Sequence, residues 1–306
     1  MFNNKFALSV VIPTYNRSEK LEYTIKSLLN QQCDKSAFEI VIADDGSCDD
    51  TFLMLKQYEH LVNIQYAYQV DAGYRSASAR NLGIKIAQGN ICLFVDSGII
   101  LKSDCIQQHI DFHRRQKREA AVIGYTYGYT QHGETEEELM RLVDPEDANG
   151  SIARLVAAGR FLDVREKIYR RYNDCVHLLH MPWTLFWGGH LSVHRKTLLE
   201  IGLFDEQYDG NWGCEDNDLG YRLQQANREI RFCREAAVLH LPHGSNQEQK
   251  ETGGYENCKY LHQKFQTPET HLFLDYYLKE ITGQRDDHDV IDFDGLLINA
   301  PKAVGL

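Results

Sequence analysis

An α/β fold is predicted from the amino-acid sequence, with a mainly parallel, mixed β-sheet between layers of helices. Continuously apolar runs over residues 8–12, 38–42, 64–68 and 91–95 indicate strands that are buried on both faces. Between these runs, apolar residues recur at helical spacing, so strand and helix alternate through the first 125 residues. Such alternation predicts βαβ units, because parallel neighbours need a long crossover connection that is usually helical.

The three helices between these strands follow from apolar residues that share one helix face. The residues that predict them are Leu21, Ile25, Leu28 and Leu29 for the first, Phe52 and Leu55 for the second, and Ala79, Leu82 and Ile86 for the third. Ser47 and Asp50 have the spacing of a capping box and predict the start of the second helix.

The chain divides into four segments by composition. Residues 1–125 contain the alternating strands and helices, and residues 126–180, which are polar, charged and rich in helix formers, predict a helical insertion. Residues 181–250 return to a compact, aromatic-rich pattern. Residues 251–306 predict a C-terminal helix, over 255–281, followed by an acidic tail.

Composition excludes several classes of function. The 306 residues carry a formal net charge of −11, and such an acidic surface repels nucleic-acid backbones. No apolar run approaches the ~20 residues needed to span a bilayer, and no signal peptide is expected at the N-terminus. Eight irregularly spaced cysteines in so long a chain predict reduced thiols. We expect a cytoplasmic protein, with peripheral attachment to the inner face of a membrane left open.

Polar residues at the first two strand ends are candidates for nucleotide contacts, because ligands of such sheets bind at the carboxyl ends of the strands. Pro13 and Tyr15 follow the first strand, where a dinucleotide-binding protein would carry a glycine-rich fingerprint that is absent here. Asp44 and Asp45 end the second strand and could accept hydrogen bonds from a base or a ribose. Ordinary Asp-Gly turn chemistry is the alternative, and it explains Asp45 better than Asp44.

Two cations and one acid are further candidates at the carboxyl ends of the strands. Arg80, on the third helix, could face a diphosphate, with Arg75 as a second candidate and a solvated helix cation as the alternative. Asp96 ends the fourth strand, in the stretch "FVDSG". Gly98 occupies the place where one large class of enzymes carries a second acid, which together with the first holds a metal, and we expect its missing side chain to leave room for a diphosphate or an imidazole.

The ordered set "VVIPTYNR", "DDGS", "ARNLGI" and the strand into Asp96 resembles the nucleotide-binding half of a family 2 glycosyltransferase of GT-A fold. The segment 186–223 resembles the acceptor-side segment of β-1,4-galactosyltransferases and of bacterial chondroitin- and hyaluronan-type polymerases. The two resemblances cover about residues 7–245, and they imply that residues 1–125 are the nucleotide-sugar-binding half and residues 181–250 the acceptor-binding and catalytic half. They imply an inverting transferase with a UDP-linked sugar donor, a carbohydrate or glycosylated small-molecule acceptor, and a divalent metal, Mn²⁺ or Mg²⁺.

The acidic pair Glu215 and Asp216 falls in the first turn of a helix that is predicted from the spacing of the apolar residues after it. Stabilising the helix start is the alternative role of these carboxylates. The resemblance implies that the pair faces the acceptor sugar, with Asp216 as general base and Glu215 holding an acceptor hydroxyl. Trp212, just before the pair, would offer an apolar face to a sugar ring.

Histidines at short spacing raise the rival hypothesis of a zinc hydrolase, but none forms H-E-x-x-H. His190 and His194 lie in a predicted strand, where a spacing of four puts both rings on one face. The resemblance implies that His240 reaches the metal, with His243 as the alternate. Asp96 and His240 are therefore the predicted metal ligands, and a carboxylate with an imidazole favours manganese over magnesium.

Two departures from the resembling families keep other functions open. Gly98 replaces the second acid, and His190 stands where those families usually have asparagine. The first departure favours a metal-free sugar-nucleotide-binding or scaffold protein, against which the retained acids Glu215 and Asp216 argue. A nucleotidyltransferase could share this sheet, although it would need a glycine-rich phosphate loop after the first strand, where this chain has none.

Overall fold

The computed structural model describes residues 5–131, 133–242, 247–282 and 292–299. The strands are β1 (Phe6–Thr14), β2 (Phe38–Asp44), β3 (Ile64–Tyr68), β4 (Gly89–Val95), β5 (Ile99–Leu101), β6 (Ala120–Tyr127), β7 (His190–His194) and β8 (Glu229–His240). The helices are α1 (Ser18–Leu29), α2 (Thr51–Lys56), α3 (Ser76–Ile86), α4 (Cys105–Arg115), α5 (Glu136–Leu142), α6 (Ala148–Ala158), α7 (Glu166–Arg171), α8 (Arg195–Glu200), α9 (Glu215–Gln225), α10 (Gln247–Phe265), α11 (Pro268–Ile281) and α12 (Phe293–Asn299).

The strands form one eight-stranded sheet in the order β3-β2-β1-β4-β7-β6-β8-β5. The pairs β2–β3, β1–β2, β1–β4 and β6–β8 are parallel, whereas β4–β7, β6–β7 and β5–β8 are antiparallel. The predicted class, a mainly parallel mixed sheet between helices, is therefore confirmed. The four predicted strands and the three helices between them lie where the periodicity places them.

One side of the sheet collects an end of each of the eight strands. Because β7 is antiparallel to both of its neighbours, its first residue, His190, pairs with Val95 at the last residue of β4. The same reversal makes β6 and β8 run in the direction of β4. The carboxyl ends of β1, β2, β3, β4, β6 and β8 and the amino ends of β5 and β7 therefore meet at one edge, which positions the candidate site.

The sheet is covered on both faces, as the continuously apolar strands predict. One buried cluster contains Val11 and Phe94 with residues of α3, α8 and α9. The opposite cluster contains Val10 and Leu93 with residues of α1 and α4. Neighbouring residues of one strand thus enter different cores, because successive strand side chains point to opposite faces. No helix in the described ranges is long and apolar enough to cross a membrane.

Three local predictions differ from the structure. The three-residue strand β5 and the eight-residue strand β6 are not anticipated, and the predicted C-terminal helix is two helices, separated at Gln266 and Thr267. The predicted capping box is wrong: Ser47 accepts a 2.9 Å hydrogen bond from the Asn16 N–H. Asp49 replaces it, because its carboxylate accepts from both the N–H and the hydroxyl of Thr51.

The boundaries of the four predicted segments stay predictions. The insertion does contain helices α5, α6 and α7, but β6 extends two residues into it, to Tyr127. Part of the predicted acidic tail lies outside the described residues.

Candidate active site

The turn after β4 carries Asp96 and explains the missing second acid. The Ile99 N–H donates a 3.0 Å hydrogen bond to the Asp96 carbonyl, which closes a four-residue turn. Gly98 has a φ of 99°, which glycine adopts without strain and an acidic residue does not. A Cβ at Gly98 would lie 3.4 Å from Cδ of Lys20, an ordinary van der Waals contact, and room there for a diphosphate or an imidazole stays a prediction. The Ser97 hydroxyl donates to the Pro13 carbonyl at 2.9 Å and fixes this turn to β1.

Arg80 connects the two acidic parts of the site. Its Nη2 donates to Oδ1 of Asp96 at 3.0 Å, and its Nη1 donates to Oε1 of Glu215 at 2.7 Å. The guanidinium is buried, and a Cβ at Gly188 would lie 3.0 Å from its Nη2, so little space surrounds it. The alternative of a solvated helix cation is therefore wrong. Contact of Arg80 with a diphosphate stays a prediction.

Glu215 begins α9, as predicted, and only one of its two carboxylate oxygens accepts hydrogen bonds from the described residues. Oε1 accepts from Arg80 and, at 2.9 Å, from the Ser76 hydroxyl. Oε2 is buried and has no hydrogen-bond partner in the part of the chain that the structure describes. A buried acceptor without a donor is costly, so this oxygen is suited to receive a hydroxyl from a ligand.

Asp216 is held by backbone amides on both oxygens. The Gly188 N–H donates to Oδ2 at 2.6 Å, and the Asn217 N–H donates to Oδ1 at 2.7 Å. Burial, followed by the negative charge of Glu215, raises the pKa of Asp216 to about 7. General bases act best when their pKa lies near the working pH, so this carboxylate is suited to accept a proton.

Trp212 precedes the acidic pair on an irregular segment between two glycines of positive φ, Gly210 at 96° and Gly213 at 90°. Its side chain is 43% exposed, which is high for so large an apolar ring. Such a ring, next to Glu215 and Asp216 in the chain, could pack against the apolar face of a sugar.

His240 lies at the last residue of β8, beside the Asp96 turn. It pairs with Ile99 of β5, and the following Leu241 N–H donates a 3.1 Å hydrogen bond to the Gly98 carbonyl. The ring stacks on Tyr129, with centroids 5.0 Å apart and planes at 21°. Sequence reasoning missed Tyr129; its signal is its position just beyond β6, once that strand is recognised. His243, the predicted alternate ligand, lies outside the described residues.

These residues fit a divalent cation on grounds of charge and ligand type. The carboxylates of Asp96 and Glu215 share the guanidinium of Arg80, and the carboxylate of Asp216 follows Glu215 in the chain, so three acids stand beside one buried cation. Asp96 gives only Oδ1 to Arg80, and its side chain is 43% exposed. A carboxylate and an imidazole at one sheet edge are ordinary ligands for manganese.

Asp44 is engaged by the protein itself. Its Oδ1 accepts from the N–H groups of Gly46 and Ser47 at 3.0 and 2.7 Å, and its Oδ2 accepts from the Tyr66 hydroxyl at 2.7 Å. The side chain is 0% exposed. The turn chemistry therefore accounts for Asp44 more fully than the sequence indicates, and its contact with a nucleotide stays a prediction.

Asp45 and Tyr15 border the same end of the sheet. Asp45 forms an ion pair with Arg75 at 2.8 Å and accepts from Gln69 at 2.7 Å, so neither Asp45 nor Arg75 is an unengaged charge. Tyr15 has an exposed ring, and its hydroxyl donates to Asp71 at 2.9 Å. An exposed aromatic ring beside strand ends is suited to stack on a base, whereas Asp45 is suited to fix the loop.

Sequence comparison identifies the family to which this arrangement belongs. The profile described as glycosyl transferase family 2 matches residues 9–187, which is more than half of the chain. The chain belongs to glycosyltransferase family 2. A second profile, described as the N-terminal domain of galactosyltransferase, matches residues 175–244 of this family 2 chain and covers Glu215, Asp216 and His240. Both parts of the predicted resemblance are confirmed.

Two relatives of this family 2 chain illustrate the range of sequence identity and of matched length. Validoxylamine A glucosyltransferase of Streptomyces hygroscopicus subsp. jinggangensis is 34% identical over 251 residues, which are 82% of this chain and 59% of the relative. Chondroitin synthase of Escherichia coli is 29% identical over 264 residues, 84% of this chain and 38% of the relative. The chain thus spans well under two thirds of the length of either relative.

Solved structures confirm the GT-A fold. Staphylococcus aureus TarS 1-349 in complex with UDP-GlcNAc aligns with a TM-score of 0.62 at 17% identity, over 96% of this chain and 76% of that one. The mannosyltransferase PcManGT of Pyrobaculum calidifontis, in complex with GDP-Man and Mn²⁺, aligns with a TM-score of 0.57 at 12% identity, over 89% and 68%. At such identities the likeness of this family 2 chain to these proteins concerns the fold.

Proposed function

We propose that this chain is an inverting glycosyltransferase that moves a sugar from a UDP-linked donor to a hydroxyl of a carbohydrate or glycosylated small-molecule acceptor. The observation that carries the proposal is a chain of contacts between the two sides of the site. Arg80 donates to Asp96 on the donor side and to Glu215 on the acceptor side. Asp216, whose pKa is raised, directly follows Glu215. Acceptor chemistry and leaving-group chemistry need groups of these kinds within one small site.

On the acceptor side, Asp216 takes the proton of the attacking hydroxyl as its oxygen bonds to the anomeric carbon. The diphosphate leaves from the opposite face of the sugar, so the anomeric configuration inverts. The amides of Gly188 and Asn217 keep the Asp216 carboxylate in one orientation. Oε2 of Glu215 accepts a neighbouring acceptor hydroxyl, and Trp212 packs on a sugar ring.

On the donor side, Asp96 and His240 would hold a divalent cation, with Mn²⁺ favoured over Mg²⁺ by the imidazole. When bound, such an ion supplies electrostatic stabilisation of the leaving diphosphate. The nucleotide would lie across the ends of β1 and β2, with Tyr15 and Pro13 against the base. The likeness to a fold that binds UDP-GlcNAc and to one that holds Mn²⁺ supports this arrangement.

The test is a panel of nucleoside-diphosphate sugars incubated with the chain, with and without Mn²⁺, while UDP release and thermal stability are both measured. A UDP-sugar should raise the melting temperature, because a ligand that binds only the folded state stabilises it, and UDP should be released slowly by hydrolysis. The variant Glu137→Gln, which alters an exposed carboxylate far along the insertion, is the matched control and should behave as wild type.

Each alternative function gives a different result in this panel. When a nucleoside triphosphate and a sugar phosphate are added to the panel, release of pyrophosphate would identify a nucleotidyltransferase. Stabilisation by UDP-sugars without any UDP release, with or without Mn²⁺, would favour a metal-free binding or scaffold protein. Because all eight cysteines are free thiols, a reducing compartment such as the cytoplasm is the location we propose.

A further inference from the structure

A second cluster of metal-ligating side chains lies behind β7, on the face of the sheet that α4 covers. Cys105 and His109 are four residues apart on α4, and His190 is the first residue of β7. Their exposures are 0%, 0% and 3%. Nε2 of His190 lies 3.6 Å from Sγ of Cys105 and 3.0 Å from Nε2 of His109, and the three atoms are all within 4.8 Å of one another.

We propose that Cys105, His109 and His190 bind one thiophilic d¹⁰ metal ion, Zn²⁺ or Cu⁺, as a structural site distinct from the cation of the transfer reaction. Zinc bonds of about 2.0–2.1 Å to nitrogen and about 2.3 Å to sulfur place tetrahedral ligands roughly 3.4 Å (N to N) and 3.6 Å (S to N) apart. The observed separations from His190 are close to these edges. The third pair, Cys105 and His109, lies within 4.8 Å, so entry of the ion requires the ligand atoms to approach by at most about 1.2 Å.

The hydrogen bonds around the cluster orient His109 as a ligand. Its Nδ1 lies 2.9 Å from Oγ of Ser192, and the same hydroxyl lies 2.8 Å from Nε2 of His113. When Nδ1–H donates to Ser192 and Ser192 donates to His113, the Nε2 lone pair of His109 points to the ion. Ligating histidines commonly give their second N–H to such a partner, which fixes the tautomer.

The backbone opposite His190 leaves space for its ring and no more. A Cβ at Gly124 would lie 2.0 Å from Cε1 of His190, so any side chain there would displace the imidazole. Gly124 pairs in register with Cys233 of β8, which is buried in the same core cluster as Cys105. A thiolate from Cys105 neutralises Cu⁺ outright, whereas Zn²⁺ would need a second anion, and the thiol of Cys233 is instead directed to Glu235, to which it donates at 3.7 Å.

The alternative is a neutral hydrogen-bonded network without metal, in which one N–H joins the two Nε2 atoms. Burial lowers the pKa of both His109 and His190 and raises that of the Cys105 thiol. Neutral imidazoles suit either case. A metal must displace the thiol proton to solvent, so binding would release one proton from Cys105.

The experiment uses the full chain, stripped with a chelator under reducing, anaerobic conditions and then exposed to Zn²⁺, Cu⁺ or Co²⁺. After desalting, elemental mass spectrometry should find about one Zn²⁺ or Cu⁺ ion per chain in wild type. Cys105→Ser and His109→Gln should lose it. Cys92→Ser, a buried thiol in the other core, and His240→Ala, a variant of the proposed catalytic metal site, should keep it.

Cobalt gives a measurement that does not depend on how the variants fold. The Co²⁺-loaded wild type should show a thiolate-to-cobalt charge-transfer band, which Zn²⁺ or Cu⁺ should abolish, and the preferred competitor identifies the native ion. Wild type that retains neither metal and shows no such band would establish the neutral network and overturn the proposal. Equal retention by folded Cys105→Ser would overturn it as well.

Discussion

The guanidinium of Arg80 donates a 2.7 Å hydrogen bond to Oε1 of Glu215, across 135 residues of chain. The two side chains are 5% and 6% exposed, so the ion pair is almost completely removed from water. Loss of the cation would leave a buried carboxylate without its partner, and breaking a buried pair in this way costs about 3–5 kcal/mol.

Arg80→Met should therefore lower the free energy of unfolding by roughly 3–5 kcal/mol in urea denaturation. Arg141→Met is the matched control, because Arg141 pairs with Glu137 on the surface of α5 and such pairs contribute at most about 1 kcal/mol. Equal unfolding free energies for Arg80→Met and wild type would contradict the structural importance of this pair.

Asp216→Asn should reduce turnover by roughly 10²–10⁴-fold, the usual scale for loss of a general base. UDP affinity, measured by calorimetry, should hardly change, because the base acts on the acceptor. Asparagine keeps an oxygen that can accept from the Gly188 amide, so the variant should remain folded. A variant with full turnover would remove Asp216 from the mechanism.

The raised pKa of Asp216 predicts an unusual dependence of stability on pH. An unfolded aspartate loses its proton near pH 3.9, whereas the folded group keeps it until about pH 7. Between these values the folded state binds more protons, so this group lowers the free energy of unfolding as the pH rises. Relative to wild type, Asp216→Asn should gain stability from about pH 4 to pH 7 and no further beyond. Parallel stability curves for the two proteins would show that the pKa is not raised.

Metal dependence should centre on Asp96 and His240. Manganese should bind weakly to the chain alone and more tightly with UDP, because phosphate oxygens and waters complete the coordination. Titration of wild type, Asp96→Ala and His240→Ala, each with UDP, should show weaker binding in both variants. His177→Ala, which alters a histidine on a different element, is the control. Full transfer activity in chelator-treated wild type would refute the requirement for metal.

Two substitutions of Asp44 distinguish its contribution to nucleotide binding from its contribution to the stability of the loop. Asp44→Ala leaves three donors without their acceptor and should destabilise the fold by about 1–3 kcal/mol in denaturant unfolding. Asp44→Asn keeps an acceptor oxygen for the turn and should cost less. If Asp44 also contacts base or ribose, both variants should weaken UDP binding in calorimetry; unchanged affinity in folded Asp44→Asn would assign Asp44 to the turn alone.

The residues that sequence alone located are those whose signal is local. The strand into Asp96, the helix that begins at Glu215 and the strand that carries His190 and His194 all follow from periodicity over a few neighbouring residues. The common edge of β1, β2 and β4 follows too, because parallel strands must end on the same side. The family was also accessible, since its motifs are short and ordered along the chain.

The local signal failed where a residue's role depends on a distant contact. Gly98 reads as a lost ligand, but its φ of 99° shows that the turn after β4 favours glycine at this position. His190 and His194 read as one pair, and they do share a strand face. The partners of His190, however, are Cys105 and His109, more than 80 residues earlier on α4.

By itself, the sequence determined the βαβ order of the first half, the family, and the acids at the end of β4 and at the start of α9. Each of these is encoded in residues that are adjacent in the chain. Only the tertiary structure decided that Arg80 joins Asp96 to Glu215, and that Tyr129 stacks on His240. Both contacts depend on the strand order β4-β7-β6-β8. The physical reason is that the reversed strand β7 lies between β4 and β6 and so brings the second half of the sheet next to β4. The periodicity of a single segment depends only on its own residues and does not specify which distant segment it will contact.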